Sequence, residues 1–399
     1  MLIEVHILQN HAPSNLNRDD TGSPKEAIFG GYKRARISSQ CLKRSIRRSE
    51  ILQQELGSHL AARTRSLPEL VRNQLMEAGF SEDIAEIGAK KASAFGTDKG
   101  VELPPNKSGY YRTKQTMFLT EEDIKTISEV IAEAATEANS NAAFEKVSTK
   151  DLQQKAREKG FRPVSPDIAL FGRMVTSEAF EDVDASCQFA HALSTHKVDH
   201  EFDYYTAVDD LERLADDEAG SGADMIGDLE FNSACYYKYF NVHIEGLIDN
   251  LTGKAFKHLV SPEDEENARD TASKVVKALI EAACKITPTG KQNSFAAHQY
   301  PSLVWIEVRD RNLPVSYANA FCNPVNPKTR DGLELESAKA LKDECESLTK
   351  LYDLNANQRF LLTKNSGIEI LDVKPSQNLK TILGKLEEVI KGGRNNTAS

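Results

Sequence analysis

Between residues 60 and 165 the chain offers almost no strand-like run. "LPELVRNQLMEAGF", "SEDIAEIGAKKASAF" and "TEEDIKTISEVIAEAATEA" each repeat apolar residues at the 3.6-residue period of a helix. Strand-like segments stand on both sides of this block. "MLIEVHILQN" alternates Ile3, Val5 and Ile7 with Glu4 and His6, which predicts a strand over residues 2–9. "LEFNSACYYKYFNVHI" reads as a long aromatic strand, "SLVWIEVRD" as another, and "PDIALFGRM" and "ASCQFAHALSTHKV" as strands with connections. A helical block set into a strand-bearing chain restricts the fold to α+β with an insertion.

Helices fill the remaining positions. "ISSQCLKRSIRRSEILQQEL" starts one that Ser38 or Ser39 can cap, with Leu42, Ile46 and Leu52 as its buried stripe. "SPEDEENARDTASKVVKALIEAACK" is a second, with acids in its first turn, where the helix dipole favours them. Two more are expected near 333–353 and 376–391, and "GGRNNTAS" reads as a frayed tail. Residues 198–230 hold twelve acids against one cation, Arg213, and predict a protruding loop or hairpin. Without this hairpin and the helical block, the order is strand, helix, strands, helix, strand. That order fits a ferredoxin-like, or RRM-like, core.

The chain is acidic, with net charge −10, so its surface as a whole does not suit coating a nucleic acid. No run of 18 apolar residues predicts a membrane span. The six cysteines form no C-x-x-C pair and read as reduced thiols of a cytoplasmic protein. One stretch breaks the acidic pattern. Residues 25–48 carry eight cations (Lys25, Lys33, Arg34, Arg36, Lys43, Arg44, Arg47, Arg48) against one acid, Glu26. Gln40, Lys43 and Arg47 fall on one helix face. Like charges four apart cost an isolated helix about 0.2–0.5 kcal/mol per pair, a small cost if an anion lies across the face. The Ser38–Ser39–Gln40 turn adds hydroxyls, an amide and free backbone N–H groups where phosphate is favoured.

The preceding segment, "NHAPSNLNRDDTGSPKEAIFGG", predicts a polar loop of about twenty residues. Arg18 and Lys25 can clamp phosphates from it, and Gly30–Gly31 can let backbone approach a ligand closely. Asp19–Asp20 has the chemistry of a Mg²⁺ site, although such pairs more often cap their own loop. His191, His196 and His200 include zinc-type donors, but their spacings of five and four suit neither one helix face nor one strand face, and no H-E-x-x-H frame contains them. Met174, Tyr204 and Tyr205 can stack on splayed bases, while at that spacing they also suit a core. Lys146, Lys150 and Lys155 lie among a second group of cations, either a solvated face or a sequence-neutral nucleic-acid track.

"HAPSNLNRDDTGSPKEAIFGGYKRARISSQCLKRSIR" resembles the N-terminal signature of the CasC family, the Cascade backbone subunits of type I-E CRISPR–Cas systems. The likeness continues at "DIALFGRM", "AHALSTHKVDHEFDYYTAVDDL" and "YYKYFNVHI". It implies an RRM-like palm over 1–59 and 166–399, helical fingers over 60–165 and a β-hairpin thumb over 198–230. It implies a non-catalytic subunit, with no cofactor or metal, that polymerises along CRISPR RNA and kinks it at regular intervals for pairing with target DNA. The implied partners are further copies of itself, CasA, CasB, CasD and CasE. Arg18, Lys25, Ser38, Gln40, Lys43 and Arg47 are then expected to grip the RNA backbone, and Met174 to press on the kinked base. Tyr204, Tyr205 and Thr206 are expected where thumb meets RNA, and Lys146, Lys150 and Lys155 on DNA. The thumb sequence "ERLADDEAGSGADMIGDLE" is longer and more acidic than the family's, leaving Met225, Ile226 and Leu229 as candidates for its tip. A competing expectation is a type III-like endoribonuclease using Asp19 or Asp20 with Mg²⁺.

Overall fold

The first strand is buried on both faces. β1 (Leu2–Ser14) places Ile3, Val5 and Ile7 on one side and Leu2, Glu4, His6 and Leu8 on the other, and all seven are 0% exposed. The alternation in the sequence reads as a half-exposed strand. Instead, the polar face is covered by Tyr237 from the neighbouring strand and by a second layer that includes Tyr317, Leu341 and Cys345. The strand also runs on to Ser14, which shortens the expected long loop.

The computed structural model describes residues 1–57, 60–97, 99–160, 164–174, 177, 179–207, 225–253, 258 and 261–392. Two compact units compose the chain. One comprises Met1–Leu52, Gln188–Val242 and Val276–Ser399, the other Gln53–Cys187 and His243–Val275. The helical unit thus takes in 53–59, 166–187 and 243–275, which the sequence reading assigned to the palm.

The strands are β1, β2 (Glu26–Phe29), β3 (Tyr32–Ile37), β4 (Ala62–Thr64), β5 (Met117–Leu119), β6 (Cys187–Phe189), β7 (Ala192–Ser194), β8 (Glu201–Ala207), β9 (Met225–His243), β10 (Leu303–Arg309) and β11 (Gln358–Thr363). The large sheet has the order β11-β10-β1-β9-β7-β3-β2, with β6 and β8 also paired to β9. β1 and β10 are antiparallel, with Leu2 opposite Arg309 and Leu8 opposite Leu303. β2 and β3 form a hairpin turned by Gly30 and Gly31, both at positive φ (61° and 82°). A two-residue turn with both centres left-handed matches the natural twist of the strands. Only glycine fits at 30 for a second reason. A Cβ there would meet the Cys322 carbonyl oxygen at 1.9 Å, so the close approach is to the protein's own backbone rather than to a ligand.

Two acids buried in this sheet are held by a network of partners. Glu4 and Glu307 lie directly opposite one another, both 0% exposed. Arg309 Nε reaches Glu4 at 2.6 Å, its Nη2 reaches Glu307 at 2.9 Å, and Arg359 Nε reaches Glu307 at 3.1 Å. The Tyr239 hydroxyl and the Val315 N–H donate to Glu4, and the Tyr317 hydroxyl to Glu307. Burial pushes the Glu4 carboxyl above its usual range. At Glu307 burial pulls the same way, but Arg309, His6, Tyr317 and Arg359 hold that carboxyl below the usual range.

In the helical unit, helices Leu67–Glu77, Glu82–Ser93, Glu121–Glu137 and Thr149–Lys159 surround a core of Leu67, Val71, Phe95, Ile127, Phe144 and Leu152. Gly88 lets the first two cross closely, since a Cβ would meet Leu75 Cδ1 at 2.4 Å. Thr120 and Asp123 form a reciprocal capping box. β4 and β5 add a short ladder that the helical periodicity conceals. "PDIALF", read as a strand, is a helix, Pro166–Phe171, with Pro at its start and Ser165 before it. A short apolar run is ambiguous by period, and the Ser-Pro-Asp start is the signal that decides it. The expected helix after residue 38 is broken in two. α1 (Ser39–Arg47) ends before Ser49, whose hydroxyl accepts the Leu52 N–H as a new helix, Glu50–Leu56, begins. The acids at 209–218 and the tail 393–399 lie outside the described residues.

Burial lowers the imidazole pKa of His6 to about 3, against the pull of Glu307, and burial with Lys238 lowers that of His11 to about 4. An unfolded chain protonates its histidines near 6.5. It therefore binds more protons than the folded chain between about pH 6.5 and about pH 4, and stability falls as pH drops through that window. The expected loss is about 3 kcal/mol per histidine by pH 4, read as a declining denaturant midpoint. A flat midpoint across the window contradicts the burial of these two rings as neutral groups.

Candidate nucleic-acid interface

The loop after β1 is folded back on itself. Asn15, 0% exposed, donates through Nδ2 to the carbonyls of Gly22 (2.9 Å) and Glu230 (2.8 Å). Asp19 Oδ1 accepts from Thr21 N (2.9 Å), Thr21 Oγ1 (2.7 Å) and Ser23 N (3.0 Å), an aspartate-closed turn. The Thr21 hydroxyl and the loop N–H groups hold its carboxyl below the usual range. Asp19 is therefore a loop organiser, while Asp20 is exposed beside it.

Asn17 joins this loop to α1. Its carbonyl accepts the Lys25 N–H at 2.8 Å, and its side-chain oxygen accepts the Ser38 N–H at 2.8 Å. Ser38 caps the helix, its hydroxyl accepting from Cys41 N, and is buried. The next N–H, of Ser39, donates to His191 Nδ1 at 3.0 Å. Burial, then Arg36 and Lys25, lower the His191 pKa and keep Nδ1 an acceptor. Leu42 and Ile46 bury one face of α1. Gln40, Arg44 and Arg48 are exposed and Lys43 and Arg47 half-buried on the rest. No acid occupies its first turn. Arg18, exposed, bridges to Pro24 in the same loop. A cavity of about 500 Å³ opens between this loop, α1 and Thr289–Gly290, lined by Arg18, Asp19, Asp20, Cys41 and Arg44 among others.

One cation of the basic stretch has a different role. Arg34 is 0% exposed and donates to five backbone carbonyls: Phe29, Ser194, Thr195, Phe321 and Cys322. Composition alone cannot separate such a structural arginine from one that faces a ligand. Asn15, Asn17 and His191, which shape the loop and the helix start, were equally hidden. Their partners lie far along the chain, and His191 had been grouped with the zinc-type donors. The three histidines go to separate places. His191 meets Ser39, His196 is buried near the Ser233 backbone, and His200 lies between Glu26 and Glu230. Among the described residues no three histidine, cysteine or acidic side chains are arranged to hold a metal ion.

The stem of the acidic hairpin is a regular ladder, with Tyr204 opposite Asp228, Tyr205 opposite Gly227 and Thr206 opposite Ile226. The Tyr205 ring lies over Gly227, where a Cβ would come within 2.5 Å of it. Tyr204 is 76% exposed, and Phe202, two residues earlier on the same face, 55% exposed. Phe202 is an exposed ring that motif reading passed over. Of the candidates for the tip, Leu229 pairs with Asp203, Ile226 with Thr206 and Met225 with Ala207, the last described pair of the ladder. The segment joining the two strands lies outside the described residues.

In the helical unit, Met174 is 90% exposed, directly after a buried Arg173 that pairs with Asp123 at 3.3 Å. Lys146, Lys150 and Lys155 are all exposed, and Lys155 pairs with Glu137 at 3.4 Å. A profile of the CT1975-like proteins matches residues 3–389. The chain belongs to the CT1975-like family. Together with the solved structures that follow, this match bears out the Cascade backbone resemblance read from the sequence. Solved structures similar to this family member include a chain described as "CRISPR RNA-guided surveillance complex, pre-nicking". It is 27% identical, with a TM-score of 0.77, over 97% of this chain and 100% of that one. A second, "CRISPR RNA-guided surveillance complex", shares the fold at 23% identity and a TM-score of 0.69, over 96% and 100% of the two chains. No curated protein sequence matches. No helix among the described residues is long and apolar enough to cross a membrane.

Arg34→Gln is expected to lower unfolding stability by about 3 kcal/mol, because five buried carbonyls lose a charged donor. Lys43→Glu combined with Arg47→Glu is expected to stay within about 1 kcal/mol of the parent. Equal destabilisation by the two variants, measured by urea unfolding, contradicts the distinction drawn between the fully buried Arg34 and the half-buried cations of α1.

Proposed function

We propose that this chain is a non-catalytic backbone subunit of a CRISPR RNA-guided surveillance complex of the Cascade type, repeated along the guide RNA. The observation that carries the reading is the joint made by Asn17, which ties the Arg18–Lys25 loop to the start of α1. Cations from both elements then form one electropositive track in an acidic chain. Phosphate contacts of this kind fix position without reading bases, so one subunit can hold any guide. Exposed bases would pair with target DNA, and pairing would supply specificity.

The family match and the likeness over 97% of the chain to a chain of a guide-RNA complex support the same reading. An RRM-like palm is supported by the order β10-β1-β9-β7, which is that of a ferredoxin-like β-α-β-β-α-β unit. Within the proposal, Arg18, Lys25, Gln40, Lys43 and Arg47 hold the backbone, and Ser38 presents the helix start. Tyr204, Tyr205, Thr206 and Phe202 meet RNA on the thumb stem, Met174 presses a displaced base, and Lys146 and Lys150 face the DNA. Further copies of this chain and the other complex subunits are the protein partners.

The endoribonuclease reading is weakened by Asp19, whose Oδ1 already accepts three loop donors. Its test is complementary RNA with Mg²⁺ and the assembled complex. Intact RNA is expected, and regular cleavage abolished by Asp19→Ala would establish the enzyme instead.

The Lys43→Glu, Arg47→Glu variant is expected to purify without RNA while remaining folded, read as a lowered A260/A280 ratio beside an unchanged circular dichroism spectrum. Binding by the parent should weaken steeply with salt, each lost phosphate contact reducing the log–log slope by about 0.7. Full RNA retention by the variant would falsify the assignment of α1.

A further inference from the structure

His200 sits where the hairpin stem leaves the large sheet, with a carboxylate at each ring nitrogen. Nδ1 meets Oε1 of Glu230 on β9, and Nε2 lies 2.8 Å from Oε1 of Glu26 on β2. The second contact is a charge pair rather than a directed hydrogen bond. All three side chains are largely shielded, His200 at 12% exposed, Glu230 at 18% and Glu26 at 28%. A neutral imidazole has one N–H and one lone pair. Between two carboxylates, the lone pair of that form must face an oxygen carrying negative charge, which is repulsive. Only the imidazolium carries a positive charge that attracts both acids.

We propose that His200 is a proton-dependent clasp that fixes the direction in which the β8–β9 hairpin leaves the sheet. Protonated, it draws Glu26 and Glu230 together across three segments of chain. Neutral, it holds only one of them. His200 is a positioning residue and touches no RNA in this scheme. The clasp extends to the proposed RNA loop, because the Glu230 carbonyl accepts from Asn15, which also holds Gly22. Burial pulls the Glu230 carboxyl up, but hydrogen bonds from Ser23 and His200 hold it below its usual range. The other charges facing the clasp are Lys33, 3.3 Å from Glu26 on β3, and Asp19 near Glu230. On its own segment stand Glu201 and the pair Lys197–Asp199.

The consequence for RNA rests on the thumb reading above, whereas the clasp is tested without RNA. In the full-length, RNA-free chain, amide hydrogen exchange is measured at 201–207 and 227–231, corrected for intrinsic rates. The range runs from about pH 5.5 to about pH 8.5, around the interval in which histidines titrate. Protection is expected to fall about fivefold as pH rises, the scale of a partly shielded ion pair. It should become pH-independent in His200→Gln and flatten in Glu26→Gln. The His200 ring ¹⁵N shifts should report two protonated nitrogens at the low end and one at the high end, which tests the clasp if the Gln variant fails to fold. Flat protection in the parent, an unchanged pH profile in a folded His200→Gln, or a single ring proton throughout overturns it. Loss of the RNA reading would appear separately, as RNA retained by the α1 double variant.

Discussion

A charge buried in a sheet must find all its partners inside the protein, and this constraint orders the larger unit. Two carboxylates on adjacent strands, Glu4 and Glu307, face one another without water. Their repulsion is tolerable only because Arg309 reaches both and Arg359 reaches Glu307. Each remaining contact, from Tyr239, Tyr317 and Val315, is also required, since an unmet lone pair there costs about 1–3 kcal/mol. Alternative strand registers shift every partner at once. The network is a weak source of net stability and a strong selector of one register. Arg34 works in the same way at the other end of the sheet, drawing carbonyls from the β2–β3 turn, the end of β7 and the segment at 321–322 around one guanidinium.

That fixed frame explains what was legible in the sequence. β1, β9, β10 and the long helices were visible because their periodicity is local. The buried polar face of β1 was not, because Glu4 and His6 look like solvent-facing residues until Arg309, Tyr237 and Tyr317 are known to cover them. The basic stretch was visible as a concentration of charge, while the division of labour within it was hidden. Arg34 and Lys43 differ only in what surrounds them. "PDIALF" failed for another reason: a six-residue apolar run carries too few periods to distinguish strand from helix, and its Ser-Pro-Asp start was the missed cue. The family likeness supplied the functional class, but the anchoring roles of Asn15 and Asn17 needed coordinates.

The proposed RNA track gains from being small. In a chain of net charge −10, a wholly basic surface is unavailable, and long-range attraction for nucleic acid is modest. Short-range geometry then carries more of the binding. α1 has no acid in its first turn, its end N–H groups are arranged by Ser38 and His191, and its cations project from a half-buried helix. A neutral His191 is needed for this arrangement, because a protonated Nδ1 cannot accept the Ser39 N–H. Burial, then Arg36 and Lys25, favour that neutral form, so one cation expected to meet phosphate, Lys25, also supports the helix start.

A subunit proposed to repeat along a strand faces a demand that an isolated binding domain does not. An angular error between the RNA track and the hairpin stem would accumulate from copy to copy. The loop and the stem are joined at Asn15, whose single amide group bonds Gly22 in the loop and Glu230 at the stem base. Glu230 is in turn held by His200, which also faces Glu26 on the hairpin leading into α1. Three short contacts thus connect the segment carrying Arg18 with the strand carrying Tyr204. Two of them, Asn15–Glu230 and His200–Glu230, join residues far apart in sequence, so the spacing between the two parts of the proposed site is set by side-chain contacts rather than by loop length. A longer or more acidic hairpin end can then be accommodated without moving the stem, and that is where this chain departs from its family resemblance.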